Sequence, residues 1–336
     1  MTKKKQQENN NDFSETINFE SNSSEIKITV IGIGGSGCNI ISNMIENGIS
    51  GVELIAIDTD HEELKQKSKA KTKIYIGEKS TGGLGTNGSR KKGSMAAGEN
   101  LQEIENSIAE CDLLYIIAGL GGGTGTGAAP VVARIAREMG VLVVGLVTMP
   151  FRWEGKKIKN NAKQGIEDLK EHFDAVYIAN LDKLFSHDKR KSIATELDSS
   201  FYSGLKDIVM SIKDIVSGTG FINVDFEDVR AVLKNQGDVF IGVGRSGGEE
   251  RCKKAIEAAI GNSLSDICLD DAKHVLIKIV GNGDMGMLEF SETADLIEKK
   301  VSEEADIRIG MAVDDSYGDE IGVTIIATGF NKDNCS

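Results

Sequence analysis

The sequence predicts an α/β protein in two parts: a Rossmann-like domain on a parallel sheet, joined by a long central helix to a smaller α/β domain. Three observations predict this. Short apolar runs alternate with helical periods from residue 26 to about 180. Two of those runs end in glycine-rich stretches, "VIGIGGSGCNI" (30–40) and "GLGGGTGTGAAP" (119–130), and each stretch opens a helix. One long helical period, residues 192–217, then separates this half from a second set of strands and helices.

In chain order, residues 1–25 are rich in Asn, Glu, Ser and Lys with few apolar side chains, the composition of a disordered tail. "IKITVIGIG" (26–34) is the first expected strand, followed by strands at 51–59, 73–77, 112–119, 141–149 and 174–180. Most are apolar at consecutive positions, as in strands buried on both faces. Helical periods fall at about 37–47, 91–110, 126–139 and 156–172. This alternation implies a parallel sheet covered by helices on both sides. Within 192–217, Ile208, Val209, Ile212, Ile215 and Val216 recur at helical spacing, and the glycines of "SGTGF" end the run. Beyond it, strands are expected at about 238–244, 273–280, 306–313 and 321–329, and helices at 226–235, 248–260 and 289–303. The division that follows is a polar tail (1–25), a first domain (26–190), a central helix (191–218), a second domain (219–330) and a short tail (331–336).

Composition narrows the function. The 39 glycines cluster rather than repeat, which marks special loops rather than a fibrous chain. A net charge of −13 argues against a general nucleic-acid binder, which needs a basic face. The five cysteines have no C-x-x-C spacing and no zinc pattern with the four histidines, as expected for reduced thiols in a cytoplasmic protein. No run of 18 or more apolar residues predicts a membrane span, and the N-terminus lacks the apolar core of a signal peptide.

The chemistry lies in the two glycine loops. In the first, Gly32, Gly34 and Gly37 fit G-x-G-x-x-G between a strand and a helix. Glycine there lets the backbone approach a phosphate, and the helix N-terminus supplies N–H groups and a positive dipole end. Asp58 ends the second strand, where a dinucleotide-binding protein keeps its ribose-binding acid; taken alone, this half suggests an NAD-dependent oxidoreductase. The second loop, Gly121, Gly122, Gly123, Thr124, Gly125, Thr126 and Gly127, occupies another strand-to-helix turn at the same sheet edge. Two such loops suit one polyphosphate held from both sides. There is no G-K-[ST] and no lysine in the loop. The phosphate charge must then be met by backbone N–H groups, the Thr124 and Thr126 hydroxyls, helix dipoles and a metal ion.

"GGGTGTG" after a buried strand is the signature of the tubulin and FtsZ superfamily. "VIGIGGSGCN", "IAIDTD", "GGLG", "GGGTGTGAAPVVA", "PFRWEGKK" and "NVDFEDVR" follow the order and rough spacing of FtsZ, over about residues 26–330. The chain resembles a divergent bacterial or archaeal FtsZ. That resemblance implies the tubulin/FtsZ fold and a GTPase that binds GTP or GDP with Mg²⁺ held mainly by phosphates and water, without direct protein ligands. It also implies head-to-tail polymerisation of the chain with itself, at the division site. Gly34, Gly35, Ser36, Gly37, Cys38 and Asn39 then line the phosphates and base. Gly123, Thr124 and Gly125 hold phosphates, and Asp58, Thr59 and Asp60 form the loop after the second strand. Gly85, Thr86 and Asn87 lie near the γ-phosphate, and Glu154 takes the place of a ribose-binding glutamate.

"NVDFEDVR" (223–230) puts Asp225 and Asp228 on one face at a helix start, with Asn223 in position to cap it. By residue pattern alone these are ordinary helix-start acids. By resemblance, Asn223, Asp225 and Asp228 form the loop that reaches the nucleotide of the next subunit and positions the attacking water.

The sequence also departs from the family. Ile158 stands where FtsZ usually has Arg, with Lys156, Lys157 and Lys159 beside it. Tyr202 stands where a base-contacting Asn or Asp is usual. Asp58 stands where most FtsZ sequences have Asn, and "GTNGSRKKG" lacks the usual proline. The last strand is followed only by "NKDNCS", without the linker and short peptide that commonly dock on membrane-anchoring and division partners. These departures keep open a paralogue that binds nucleotide or co-polymerises with weak hydrolysis.

Overall fold

The computed structural model describes residues 26–185, 201–217 and 222–330. The expected tails at 1–25 and 331–336, the start of the central helix and the glycine break after it lie outside the described residues.

The first sheet contains β1 (Ile28–Ile33), β2 (Glu53–Asp58), β3 (Thr72–Tyr75), β4 (Leu113–Gly119), β5 (Leu142–Met149), β6 (Ala175–Asn180) and β7 (Gly237–Asp238). Their order is β3-β2-β1-β4-β5-β6-β7, with every pairing parallel. β1 to β6 appear near the expected positions; β1, β4, β5 and β6 are consecutively apolar runs largely buried on both sides, whereas β2 begins on the exposed Glu53 and the edge strand β3 buries only Ile74. On one face, Val30, Tyr115 and Val144 pack with Ile41 and Met44 of helix Gly34–Glu46 and with Val209 and Ile212 of the central helix, Tyr202–Ser217. On the other, Ile31, Leu114 and Val143 meet Ala97, Val132 and Leu169 of helices Arg90–Glu99, Thr124–Glu138 and Lys156–His172.

Two expectations are corrected. The helical period 91–110 is broken at Asn100 into Arg90–Glu99 and Leu101–Ser107. The Asn100 side chain leaves the helix pattern to bond the backbone around β3, accepting from Gly77 N and donating to Tyr75 O. The stretch expected as one strand at 238–244 is two. Gly237–Asp238 joins the first sheet at the start of β6, where Asp238 pairs with Lys170 at 2.9 Å, and only β8 (Phe240–Gly247) enters the second sheet.

The second sheet runs β10-β9-β11-β8, from β9 (His274–Gly281), β10 (Asp306–Val313) and β11 (Glu320–Thr328). β9 and β10 are parallel, and β11 runs antiparallel to β9 and β8. Helices Arg251–Gly261 and Met287–Glu298 cover one face around Ile277, Val323 and Ile256. Leu276, Ile326 and Ile241 belong to the other face and share one apolar cluster with the central helix and the first sheet. The central helix is therefore a core element of both domains.

The strand order reverses between β1 and β4, because β2 lies on one side of β1 and β4 on the other. In open α/β sheets the crevice outside the carboxyl ends of such a pair is the ligand site. The two glycine loops are the segments that leave these two strands.

Candidate functional site

Both loops pass directly into helices that have no side-chain cap. Helix Gly34–Glu46 is preceded by Ile33 and helix Thr124–Glu138 by Gly123, and neither residue supplies a capping hydrogen bond. The first N–H groups of each helix are left for a ligand, with a positive dipole end behind them. The two ends abut. A Cβ on Gly34 would lie 3.0 Å from Gly125 N, and Gly34 itself has φ +73°, which favours glycine. Gly35 and Gly122 face open space, with nothing within 4 Å of a built Cβ. These two positions are where a phosphate can approach backbone N–H groups unhindered.

The other predicted loops close around this point. The Thr59 and Thr124 hydroxyls are 2.7 Å apart, which ties the loop after β2 to the second glycine loop. Gly85 N donates to Thr59 O at 3.0 Å, and Asp60 caps helix His61–Lys67 by accepting from Glu63 N at 2.9 Å. Thr86 packs its hydroxyl against Gly123, and Asn87 holds φ +50° beside it. Ile158 lies against Gly121, which has φ +106°. Glu154 accepts from Phe151 N at 2.9 Å and so shapes the turn after β5, where the Phe151 and Trp153 rings stack at 4.4 Å. Tyr202 opens the described part of the central helix, half-buried, with its ring 5.2 Å from that of Phe201.

Three side chains of the expected site are buried. Thr126 is fully buried, and its oxygen accepts the Gly121 N–H at 2.9 Å, which holds the loop in shape. Cys38 points into the core toward the carbonyls of Gly32 and Ile57, both at 3.6 Å, and burial pushes its thiol well above the ordinary range. Ser36 and Asn39 of the same turn are exposed. Asp58 is only 4% exposed. It accepts from Thr59 N at 2.7 Å and Asp60 N at 3.3 Å, yet burial outweighs these bonds and raises its pKa to about 6.

Sequence reasoning missed Asn161. Its amide donates to Gly121 O at 3.2 Å and Gly88 O at 3.3 Å, linking the second glycine loop to the loop at 85–88. The only signal was its place one turn after Ile158 on the same helix face.

The acid pair stands apart from the loops. Asp225, not Asn223, is the N-cap of helix Phe226–Leu233, because a reciprocal capping box forms there. Asp225 Oδ1 accepts from Asp228 N at 2.9 Å, and Asp228 Oδ2 from Asp225 N at 3.1 Å. Asp228 also pairs with Arg308 of β10. This helix leads into β7, which pairs with the first residues of β6. Likewise the central helix sends Lys206 and Lys213 to the carbonyls of Asn47 and Ser50, in the turn before β2. The acids therefore lie toward the amino edge of the first sheet, and the glycine loops lie at its carboxyl edge. Six residues of β1 at about 3.3 Å each separate these edges by roughly 20 Å.

Among the described residues, no group of three or more His, Cys, Asp or Glu is placed to hold a metal ion, and no helix is long and apolar enough to cross a membrane.

The chain matches the Tubulin/FtsZ family, GTPase domain, over residues 27–188, and the FtsZ family, C-terminal domain, over residues 237–331. Among solved structures, an empty FtsZ dimer from M. jannaschii is 38% identical over 92% of this chain and 89% of its own, with a TM-score of 0.81. CetZ2 from Haloferax volcanii, solved as a GTPγS-bound protofilament, is 20% identical over 92% of this chain and 95% of its own, with a TM-score of 0.75. CetZ1 from the same organism, a GDP-bound monomer, is 21% identical over 91% and 95%, with a TM-score of 0.76. The CetZ likeness is one of fold. Two glycine loops at the β1/β4 switch point, a central helix shared by two sheets, and FtsZ-like sequence along both halves lead to one conclusion: the chain belongs to the tubulin/FtsZ family.

Proposed function

We propose that this protein is a GTP-binding, GTP-hydrolysing cytoskeletal protein that polymerises head to tail, with each active site completed between two subunits. The observation that carries this reading is the placement of the two half-sites at opposite edges of one sheet. Acids toward the amino edge, about one strand length (roughly 20 Å) from the edge that carries their own glycine loops, are better placed for a nucleotide held by another copy. The site fits the ligand: two uncapped helix ends converge, and the backbone is open at Gly35 and Gly122. Members of this family bind GTP and GDP and hydrolyse GTP.

In the proposed reaction, the N–H groups of the two loops bind the phosphates. Asn223, Asp225 and Asp228 of the next subunit orient a water molecule. The water oxygen bonds to the γ-phosphorus as the bond to the β–γ bridging oxygen breaks, and its proton passes to a carboxylate or to solvent. The products are GDP and phosphate, and the chemistry is mostly positioning and electrostatics. Mg²⁺, held by the nucleotide and water rather than by protein ligands, would supply charge neutralisation. The cellular role that follows is a cytoplasmic Z-ring-like structure at the division site, with division-machinery or membrane-anchoring partners.

Asp225→Ala tests this reading. It should leave GTP binding and sedimentable polymer intact and lower phosphate release by about 10²-fold. Normal turnover in the variant would remove Asp225 from the mechanism. A second reading, a member that assembles but hydrolyses weakly, is favoured by Ile158 lying against Gly121 where the family usually has an arginine. GTP-dependent sedimentation of the parent protein without phosphate release selects it.

A further inference from the structure

Arg308 ties the acid pair to the second sheet, and no sequence motif announces it. Side chains alternate along β10. Ile307, Ile309 and Met311 turn into the core beneath helices Arg251–Gly261 and Met287–Glu298. Arg308 and Gly310 therefore turn to the opposite face, where segment 222–228 lies along the strand. Ile222 pairs with Met311, and Val224 packs where a Cβ on Gly310 would lie, 2.7 Å from its Cγ2. Two residues earlier on the strand, the Arg308 guanidinium donates to Asp228 Oδ1 at 2.5 Å, and it lies 3.5 Å from Asp306.

This contact changes what the acid pair can do. Asp228 has one oxygen on Arg308 and the other on Asp225 N, and Asp225 Oδ1 accepts the Asp228 N–H. The fourth oxygen, Asp225 Oδ2, takes no hydrogen bond among the described residues. We propose that Arg308 is a positioning residue for hydrolysis: it clamps Asp228, and through the capping box fixes Asp225 with its free oxygen available to the attacking water.

Arg308 also offsets negative charge that two carboxylates would otherwise present to a polyphosphate. At 33% side-chain exposure it stays at the surface that a neighbouring copy would meet. Its planar fork serves Asp228 and Asp306 together, which a lysine ammonium cannot reproduce with the same geometry. The proposal rests on the reading that these acids act on the neighbouring subunit's GTP.

The test compares Arg308→Met and Arg308→Lys with the parent in GTP-driven phosphate release, sedimentation, and hydrogen exchange at the Asp228 amide of unpolymerised protein. The expected result for Arg308→Met is a kcat at least tenfold lower, with KM for GTP and sedimented fraction within twofold. Exchange at Asp228 should be at least tenfold faster, because the capping box is no longer held from outside. Arg308→Lys should recover part of both. A kcat for Arg308→Met within twofold of an active parent, or unchanged exchange at Asp228, overturns the role of Arg308 and leaves the functional reading standing. A parent that releases no phosphate overturns that reading, and the hydrolytic role of Arg308 with it.

Discussion

Replacing Asp58 by asparagine isolates the cost of a buried carboxylate at the mouth of the first strand pair. Asp58 is 4% exposed and its pKa is raised to about 6, with burial as the main cause. An unfolded aspartate titrates near 3.9, and each pKa unit is worth about 1.4 kcal/mol. The folded state thus holds this proton more tightly than the unfolded state does. Stability from this group is highest below about pH 4, falls as pH rises toward 6, and is flat above that. At pH 8 the ionised side chain costs folding about 3 kcal/mol. An asparagine side chain would keep an oxygen for the N–H groups of Thr59 and Asp60 and carry no charge. Asp58→Asn should therefore match the parent near pH 4 and exceed it by about 3 kcal/mol at pH 8, which for a chain of this size is a rise of about 4 °C in melting midpoint. Circular dichroism melts at pH 4.5, 6 and 8 provide the measurement. A difference between variant and parent that stays constant across this range would refute the assignment of the titration to Asp58.

The remaining predictions separate packing from ligand contact. Gly37→Ala would drive a Cβ into Ile117 O and to 2.9 Å from Gly32 C, so it should destabilise the fold by about 2 kcal/mol or more in urea titrations. Gly122→Ala has open space for its methyl, so its denaturation midpoint should match the parent while affinity for a fluorescent GTP analogue falls several-fold; equal loss of stability in both variants would contradict this division. Thr59→Val and Thr124→Val break one buried hydroxyl pair, and a double-mutant cycle on stability should show coupling of about 1 kcal/mol; additive effects would mean the pair contributes nothing jointly.

What was legible in the sequence is what local pattern encodes. β1, β4, β5 and β6 are consecutive apolar runs, and the helix at 156–172 was found at Lys156–His172 because its amphipathic period is uninterrupted. The glycine loops could be placed at strand ends because each is a contiguous motif. The rest depends on contacts between distant segments. Asn100 breaks a helix because the backbone around β3 offers better partners for its amide than solvent does. Gly237–Asp238 joins the first sheet because β6 has a free edge there, which no local pattern states. Thr126 turns inward because the Gly121 N–H needs an acceptor. Arg308 is 80 residues from Asp228, so its pairing is visible only once β10 and the segment before helix Phe226–Leu233 lie side by side.

The bareness of "GLGGGTGTG" has two causes that the sequence alone does not separate. A Cβ on Gly125 would sit 2.8 Å from Gly119 O, one on Gly123 would overlap Thr86, and one on Gly127 would overlap Arg90 O. These glycines let the loop at 85–88, helix Arg90–Glu99 and β4 close upon one another. Gly122, like Gly35 in the first loop, answers to no protein atom at all. A loop that lacks a lysine must bring backbone N–H groups to the phosphates. It can do so only if the two helix ends that carry them approach to the distance seen between Gly34 and Gly125. Most of the glycines therefore serve packing, by allowing two positive helix ends to meet, and in the proposed site the few that face open space are the ones a phosphate would touch.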